Sequence, residues 1–264
     1  MGRSNRAALK TIVYQSYRTT DVPPWVQTCL SSARGWSESR GFDYRFLDDR
    51  FFEYCPAWYR DKVGRHLLLL SDLARLVAAR ELHRECYDRA IWIDADVLVF
   101  APAAFAVETA GESFVFTSEL WVNRQQGRFV GWEQVNNAVC AFDRGCPFLD
   151  FYIDACERIV RRAIGTLDRL GVGTKFLTEL AKLMPMPVIR NVGSFNPILM
   201  EHLVRGNLES LRAYRKSYAN PIAAANLCGS FRNATVQGVL MSDAVYESAI
   251  EKLLGDAGAQ IARP

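Results

Sequence analysis

The chain has only three histidines (His66, His83 and His202), and no two stand four residues apart. The helical histidine pair of a zinc hydrolase is therefore excluded, and each histidine is expected to be structural, with His83 near a helix end where a cation is favourable. The seven cysteines (Cys29, Cys55, Cys86, Cys140, Cys146, Cys156 and Cys228) are scattered and form no C-x-x-C pair. That pattern gives neither a disulfide framework nor a zinc knuckle and suits reduced, mostly buried thiols in a cytoplasmic protein. Long apolar runs are missing as well: the longest uninterrupted aliphatic stretch, Leu67 to Leu70, is far too short to span a bilayer. MGRSNRAALK at the start lacks the apolar core of a signal peptide, and Arg6 stands where a myristoylation motif places a hydroxyl residue. No basic run is interleaved with aromatics, so no nucleic-acid platform is expected. The formal charge of +3 is mildly basic; it suits an anionic ligand or a peripheral contact with the inner membrane face.

What is present is ordinary for a globular protein: half the residues are apolar and 23% are charged. At 264 residues the chain can bury a sizeable core as one large domain or two small ones, and no linker, repeat or low-complexity stretch divides it. TIVYQSY (11–17) reads as a buried strand, PPWVQTCLSSARGWSESRG as a helix stopped by Gly41, and FDYRFL (42–47) as a second strand. Such a β-α-β opening implies parallel strands joined by a crossover helix. Residues 66–83 place Leu69, Leu73, Leu76, Val77 and Arg80 at helical spacing, mainly as an apolar stripe. The strand AIWID (90–94) follows, then DVLVF, strands near 113–119 and 136–143, helices at 147–162 and 174–184, and a strand near 186–192. Together they predict one α/β domain built on a mostly parallel, mixed sheet. The aromatics Phe51, Phe52, Tyr54, Trp58 and Tyr59 are expected to pack under a loop.

Asp94 and Asp96 end an apolar strand. In an open α/β sheet that edge holds the ligand crevice, and two crowded carboxylates are costly unless a cation neutralises them or their pKa values separate. Hard oxygen donors at this spacing suit Mg²⁺ or Mn²⁺, with water and phosphate filling the remaining positions. A solvated turn after the strand is the bland alternative. Upstream, Asp72 and Arg75 share one helix face at i and i+3; a surface ion pair would interrupt an otherwise apolar segment.

SDLARL (71–76) followed by IWIDADVLVF resembles the D-x-D glycosyltransferases of the GT-A fold, above all those of glycosyltransferase family 32 and in part family 8. TIVYQSYR, NNAVCAFDRGCPFLDFYI (136–153) and GVGTKFLTELAKL (171–183) resemble further segments of these families in the same order, so the likeness covers roughly residues 11 to 200. It implies one GT-A-like (Rossmann-like) domain, with a nucleotide-binding half over about 1–100 and an acceptor-side half over about 101–264. It further implies transfer of a hexose from a nucleotide sugar, UDP- or GDP-linked, to a glycan, lipid or protein acceptor, with retention of configuration. In that reading Asp96 binds the metal and Asp94 shares it or meets the ribose. Asp72 accepts hydrogen bonds from sugar hydroxyls, and Arg75 donates to sugar or phosphate. Gln15, Ser16 and Tyr17 are candidates for the nucleotide pocket, and Asn136 and Asn137 for contacts to donor sugar or acceptor. Where these families carry a late histidine that touches metal or diphosphate, this chain has Asn226, whose amide oxygen is also a hard donor. CYDRA (86–90) replaces their glycine pair before the strand. An inverting enzyme would need a carboxylate base, for which Glu119 is the first candidate.

Two other readings compete. A haloacid-dehalogenase-type phosphohydrolase also ends a strand in D-x-D, but near its N-terminus and with Thr or Val where this chain has Leu98. A non-catalytic nucleotide-sugar-binding protein of the same fold would keep the pocket without turnover.

Overall fold

Alternation within the first strand sets the layout. In Thr11–Ser16 (β1) Ile12 and Tyr14 point to one side of a sheet and Val13 to the other, as a period of two requires. The same division recurs in Arg89–Ile93 (β3), where Ala90 and Trp92 oppose Ile91 and Ile93. The computed structural model describes residues 9–126, 128–217 and 221–261. Pro24–Ser39 (α1) carries the chain from β1 to Asp43–Leu47 (β2), and Gly41 turns the chain with φ of +71°, a conformation side chains disfavour. Ala57–Val63 (α2) and Leu67–Arg84 (α3) lead to β3, and Val97–Val99 (β4) follows it. Phe114–Gln125 (β5) and Arg128–Asp143 (β6) form a long hairpin.

Pro147–Arg162 (α4) and Thr174–Ala181 (α5) precede the short strands Val188–Ile189 (β7) and Val192–Ser194 (β8). Pro197–Val204 (α6), Leu208–Lys216 (α7) and Ala224–Asn226 (β9) follow. Thr235–Val236 (β10), Val239–Leu240 (β11), Asp243–Leu254 (α8) and Asp256–Ile261 (α9) complete the described chain.

The main sheet has the order β2-β1-β3-β6-β5-β7. β2, β1 and β3 pair in parallel, β6 runs against both its neighbours, and β7 pairs in parallel with β5. Five strands therefore share one direction, giving the mostly parallel, mixed α/β domain expected. One face packs on residues of α2, α3, α4 and α5, and the other on α1 and a second sheet of order β4-β9-β8. A further apolar cluster joins α6, α7, α8 and α9 to this second sheet.

Two expectations need correction. α3 carries no simple stripe: from Leu69 to Ala79 every residue but Ser71 is buried, because the helix is enclosed by the sheet, α4 and the aromatic loop before it. Arg80 leaves that interior to meet Asp150 at 3.8 Å. The strands near 113–119 and 136–143 are the buried ends of one hairpin, whose outer part continues on paired aromatic and β-branched residues such as Trp121 and Trp132. The 51–59 aromatics do pack inward, with the Phe51 ring stacked 5.2 Å from Trp92.

Candidate active site

β3 ends where the Asp94 amide donates to the carbonyl of Ala138 at 2.7 Å and the Val97 amide closes a turn on the Asp94 carbonyl at 3.1 Å. This turn leaves the Asp94 and Asp96 side chains half-buried at the carboxyl edge of the sheet. Beneath them lies Arg75. Its Nη1 reaches Asp94 Oδ1 at 3.1 Å and donates to the Asn137 carbonyl at 2.8 Å. Nη2 meets Asp72 Oδ1 at 3.2 Å and Ser71 Oγ at 3.1 Å, while Nε donates to the Ser71 carbonyl at 3.1 Å. Three hydrogen bonds and two ion-pair contacts thus surround the guanidinium. The Asp72–Arg75 pair is no surface bridge: the side chains are 8% and 4% exposed. Asn137 donates its amide to Asp72 Oδ1 at 2.9 Å, and the Trp92 indole donates to Asp94 Oδ1 at 2.6 Å.

The electrostatics follow from this crowding. Burial pushes Asp94 up to about 7 against the pull of Arg75, and the Asp96 carboxylate adds to the rise. Burial also raises Asp96, opposed by the Gly229 amide, and raises Asp72, opposed by Arg75 and Asn137. Burial works against the charge on Arg75, but Asp94 and Asp72 outweigh it and hold the guanidinium above its usual range.

Asn226 arrives through the second sheet. β4 pairs antiparallel with β9, placing Val97 opposite Asn226. The Leu227 amide donates to the Asp96 carbonyl at 3.0 Å and the Gly229 amide to Asp96 Oδ2 at 2.6 Å. Asn226 Oδ1 accepts from the Cys228 amide at 3.1 Å. Asp72, Arg75, Asp94, Asp96, Asn136, Asn137 and Asn226 thus line one cleft of about 340 Å³. Across it stands Glu119, which accepts from Ser194 Oγ at 2.8 Å and from the Gln134 amide.

Gln15, Ser16 and Tyr17 do not line this cleft. Gln15 is fully buried and donates to the carbonyls of Ile93 and Asp94 at 3.2 and 3.3 Å, so it reaches the site through the main chain. Ser16 ends β1 beside Leu47, and Tyr17 packs on the apolar cluster of the second sheet. None of the histidines lines the cleft either; His83 lies in the last turn of α3 against the Tyr87 carbonyl, and His202 is buried against Ser210. Trp121, Trp132, Arg169, Thr174 and Phe231 do line it, although the sequence reading passed over them. One signal for the two tryptophans was available: they stand five residues before Gln126 and five after Gly127, symmetric about that Gln-Gly pair.

Among the described residues no three His, Cys, Asp or Glu side chains form a closed metal cage. The cleft nevertheless fits a hard divalent cation that keeps water and ligand oxygens. Asp94, Asp96 and Asn226 offer oxygen donors only. Asp72, Asp94, Asp96 and Glu119 face Arg75 and Arg169, a formal excess of two negative charges among the lining residues. Among the described residues no helix is long and apolar enough to cross a membrane.

No family model matches the chain, and no curated protein does. Among solved structures it is similar to a glycosyltransferase involved in glycosylation of the major capsid of PBCV-1, at 9% identity and a TM-score of 0.48, over 91% of this chain and 98% of that one. It is also similar to the bifunctional glycosyltransferase WbbM in its apo form, at 11% identity and a TM-score of 0.44, over 95% of this chain and 50% of that one. At such scores nothing about the site is taken from either protein.

Proposed function

We propose that the chain is a glycosyltransferase that takes a sugar from a nucleotide-sugar donor with the help of Mn²⁺ or Mg²⁺. The observation that carries this reading is the excess of carboxylate at the end of β3. A cleft this acidic repels a diphosphate unless a cation stands between them, and its donor atoms are those a hard cation selects. Asp96 and Asn226 would hold the ion, with Asp94 sharing it or meeting the ribose. Once bound, the ion would neutralise charge on the departing diphosphate. Asp72, half of whose carboxylate is held by Asn137 and Arg75, orients donor-sugar hydroxyls. Arg75, buried between Asp72 and Asp94, positions both carboxylates and is the forked donor to sugar or phosphate. Asn136 and Asn137 would meet the donor sugar or the acceptor.

The acceptor is a glycan, lipid or protein, and transfer retains configuration at the sugar; Glu119 is the base an inverting route would use. In the phosphohydrolase alternative Asp94 would be the nucleophile, and release of phosphate from simple esters would mark that reading. A panel of UDP- and GDP-hexoses, assayed with Mn²⁺ and with chelator, tests the proposal. Donor turnover is expected to fall about a hundredfold or more in chelator and in Asp96→Asn. Turnover indifferent to both would end the reading.

A further inference from the structure

The cleft changes character along its length. Pairing in the hairpin sets Thr117 opposite Asn136, Glu119 opposite Gln134 and Trp121 opposite Trp132. These pairs share one face at two-residue spacing. From the aspartates outward, that face presents to the cleft the Asn136 amide, then the Glu119 carboxylate with the Gln134 amide, and then two indoles, while Thr117 is buried with its hydroxyl donated to the Asn136 carbonyl. Trp132 is 41% exposed despite its size, and Phe231 extends the wall with its ring 6.0 Å from that of Trp121. The guanidinium of Arg169 lies 5.7 Å from the Phe231 ring. Trp132 stands six residues along β6 from Ala138, whose carbonyl meets Asp94, or roughly 20 Å at the usual rise of a strand.

We infer that this aromatic wall is the outer subsite for an extended oligosaccharide acceptor. The inference rests on the glycosyltransferase reading and names its acceptor class. A pyranose has a rim of hydroxyls and faces of C–H groups; the rim needs paired donors and acceptors, and the faces need flat apolar surface. The hairpin supplies both in that order. Of this wall Phe231 stands nearest the aspartates, two residues beyond the Gly229 amide that meets Asp96, and Trp132 stands farthest along β6, so an acceptor that reaches Trp132 from the reacting end is a chain of several units. A nucleobase would also stack on indole, but the row of polar groups between wall and aspartates matches hydroxyls repeated along a glycan.

Short neutral gluco-, manno- and galacto-oligosaccharides, titrated by saturation-transfer NMR without nucleotide or metal, test this. At least one series should bind the wild type, with the matching monosaccharide failing to do so. Trp132→Ala should weaken that binding by about tenfold or more, and Trp132→Phe should restore part of it, with unchanged circular dichroism in both. Absence of binding by every oligosaccharide, or equal binding by Trp132→Ala, would overturn the inference. So would a Trp132→Ala protein that loses affinity for nucleoside diphosphate instead, since the wall would then hold the base. Failure of the enzyme reading would show separately, in the donor assay.

Discussion

Arg75 sits where three requirements meet: it must neutralise Asp72, neutralise Asp94 and anchor α3 to the Asn137 carbonyl. Lysine has the charge but not the fork that lets one side chain do all three. The opposite demand falls on Gly173, before α5. A Cβ at that position would lie 2.5 Å from Asp72 Oδ2, closer than atoms approach. Gly173→Ala is therefore expected to push Asp72 out of its pairing with Asn137 and Arg75, and to weaken nucleotide-sugar turnover about tenfold or more. Kinetics set against a thermal melt check this: a large loss of turnover with a small change in Tm is the expected result. The sequence marked Asp72 and Arg75 through their i, i+3 spacing. It could not mark Gly173 as their neighbour, because about a hundred residues of chain lie between them.

At the scale of elements, α8 shows how a terminus is tied down. Asp243 in its first turn accepts from Arg232 Nε and Nη2, both at 2.6 Å, and from the Trp25 indole at 2.8 Å, while the Trp25 ring stacks 4.2 Å from Tyr246. The hydrogen bonds from Arg232 are the main cause that lowers Asp243 from 3.8 to about 2. A carboxyl depressed by folding adds stability that is present above its unfolded pKa and lost as pH falls through the folded one. The Tm difference between the wild type and Asp243→Asn should hold steady above about pH 5, shrink as pH falls from there through about 2, and be lost only below that. A difference that persists unchanged at pH 2 would contradict this account. β6 is the element that shapes the site, since its reversed direction brings Asn136, Asn137 and the hairpin face beside the end of β3.

For the whole molecule, the cleft joins the main sheet to the second sheet, so a ligand there bridges both. A ligand that binds only the native state at a hundred times its Kd adds about 2.7 kcal/mol. In a chain of this size that corresponds to a rise in Tm of about 5 to 10 °C. Mn²⁺ together with nucleoside diphosphate is expected to produce such a rise, and chelator or Asp96→Asn to remove it. A rise given by the nucleotide alone in chelator would place the diphosphate elsewhere, against a group other than the aspartates.

The sequence by itself determined the α/β class, the strand that ends in Asp94 and Asp96, and the helix face that carries Asp72 and Arg75. Each of these follows from short-range periodicity and from the cost of burying charge, which neighbouring residues already express. The tertiary structure alone decided that Asn226 and Gly229 meet Asp96, that Gln15 reaches Asp94 through its main chain, and that Trp121, Trp132 and Phe231 wall the same cleft. Those meetings depend on strand pairing between distant segments, and no local spacing encodes which distant segments will pair.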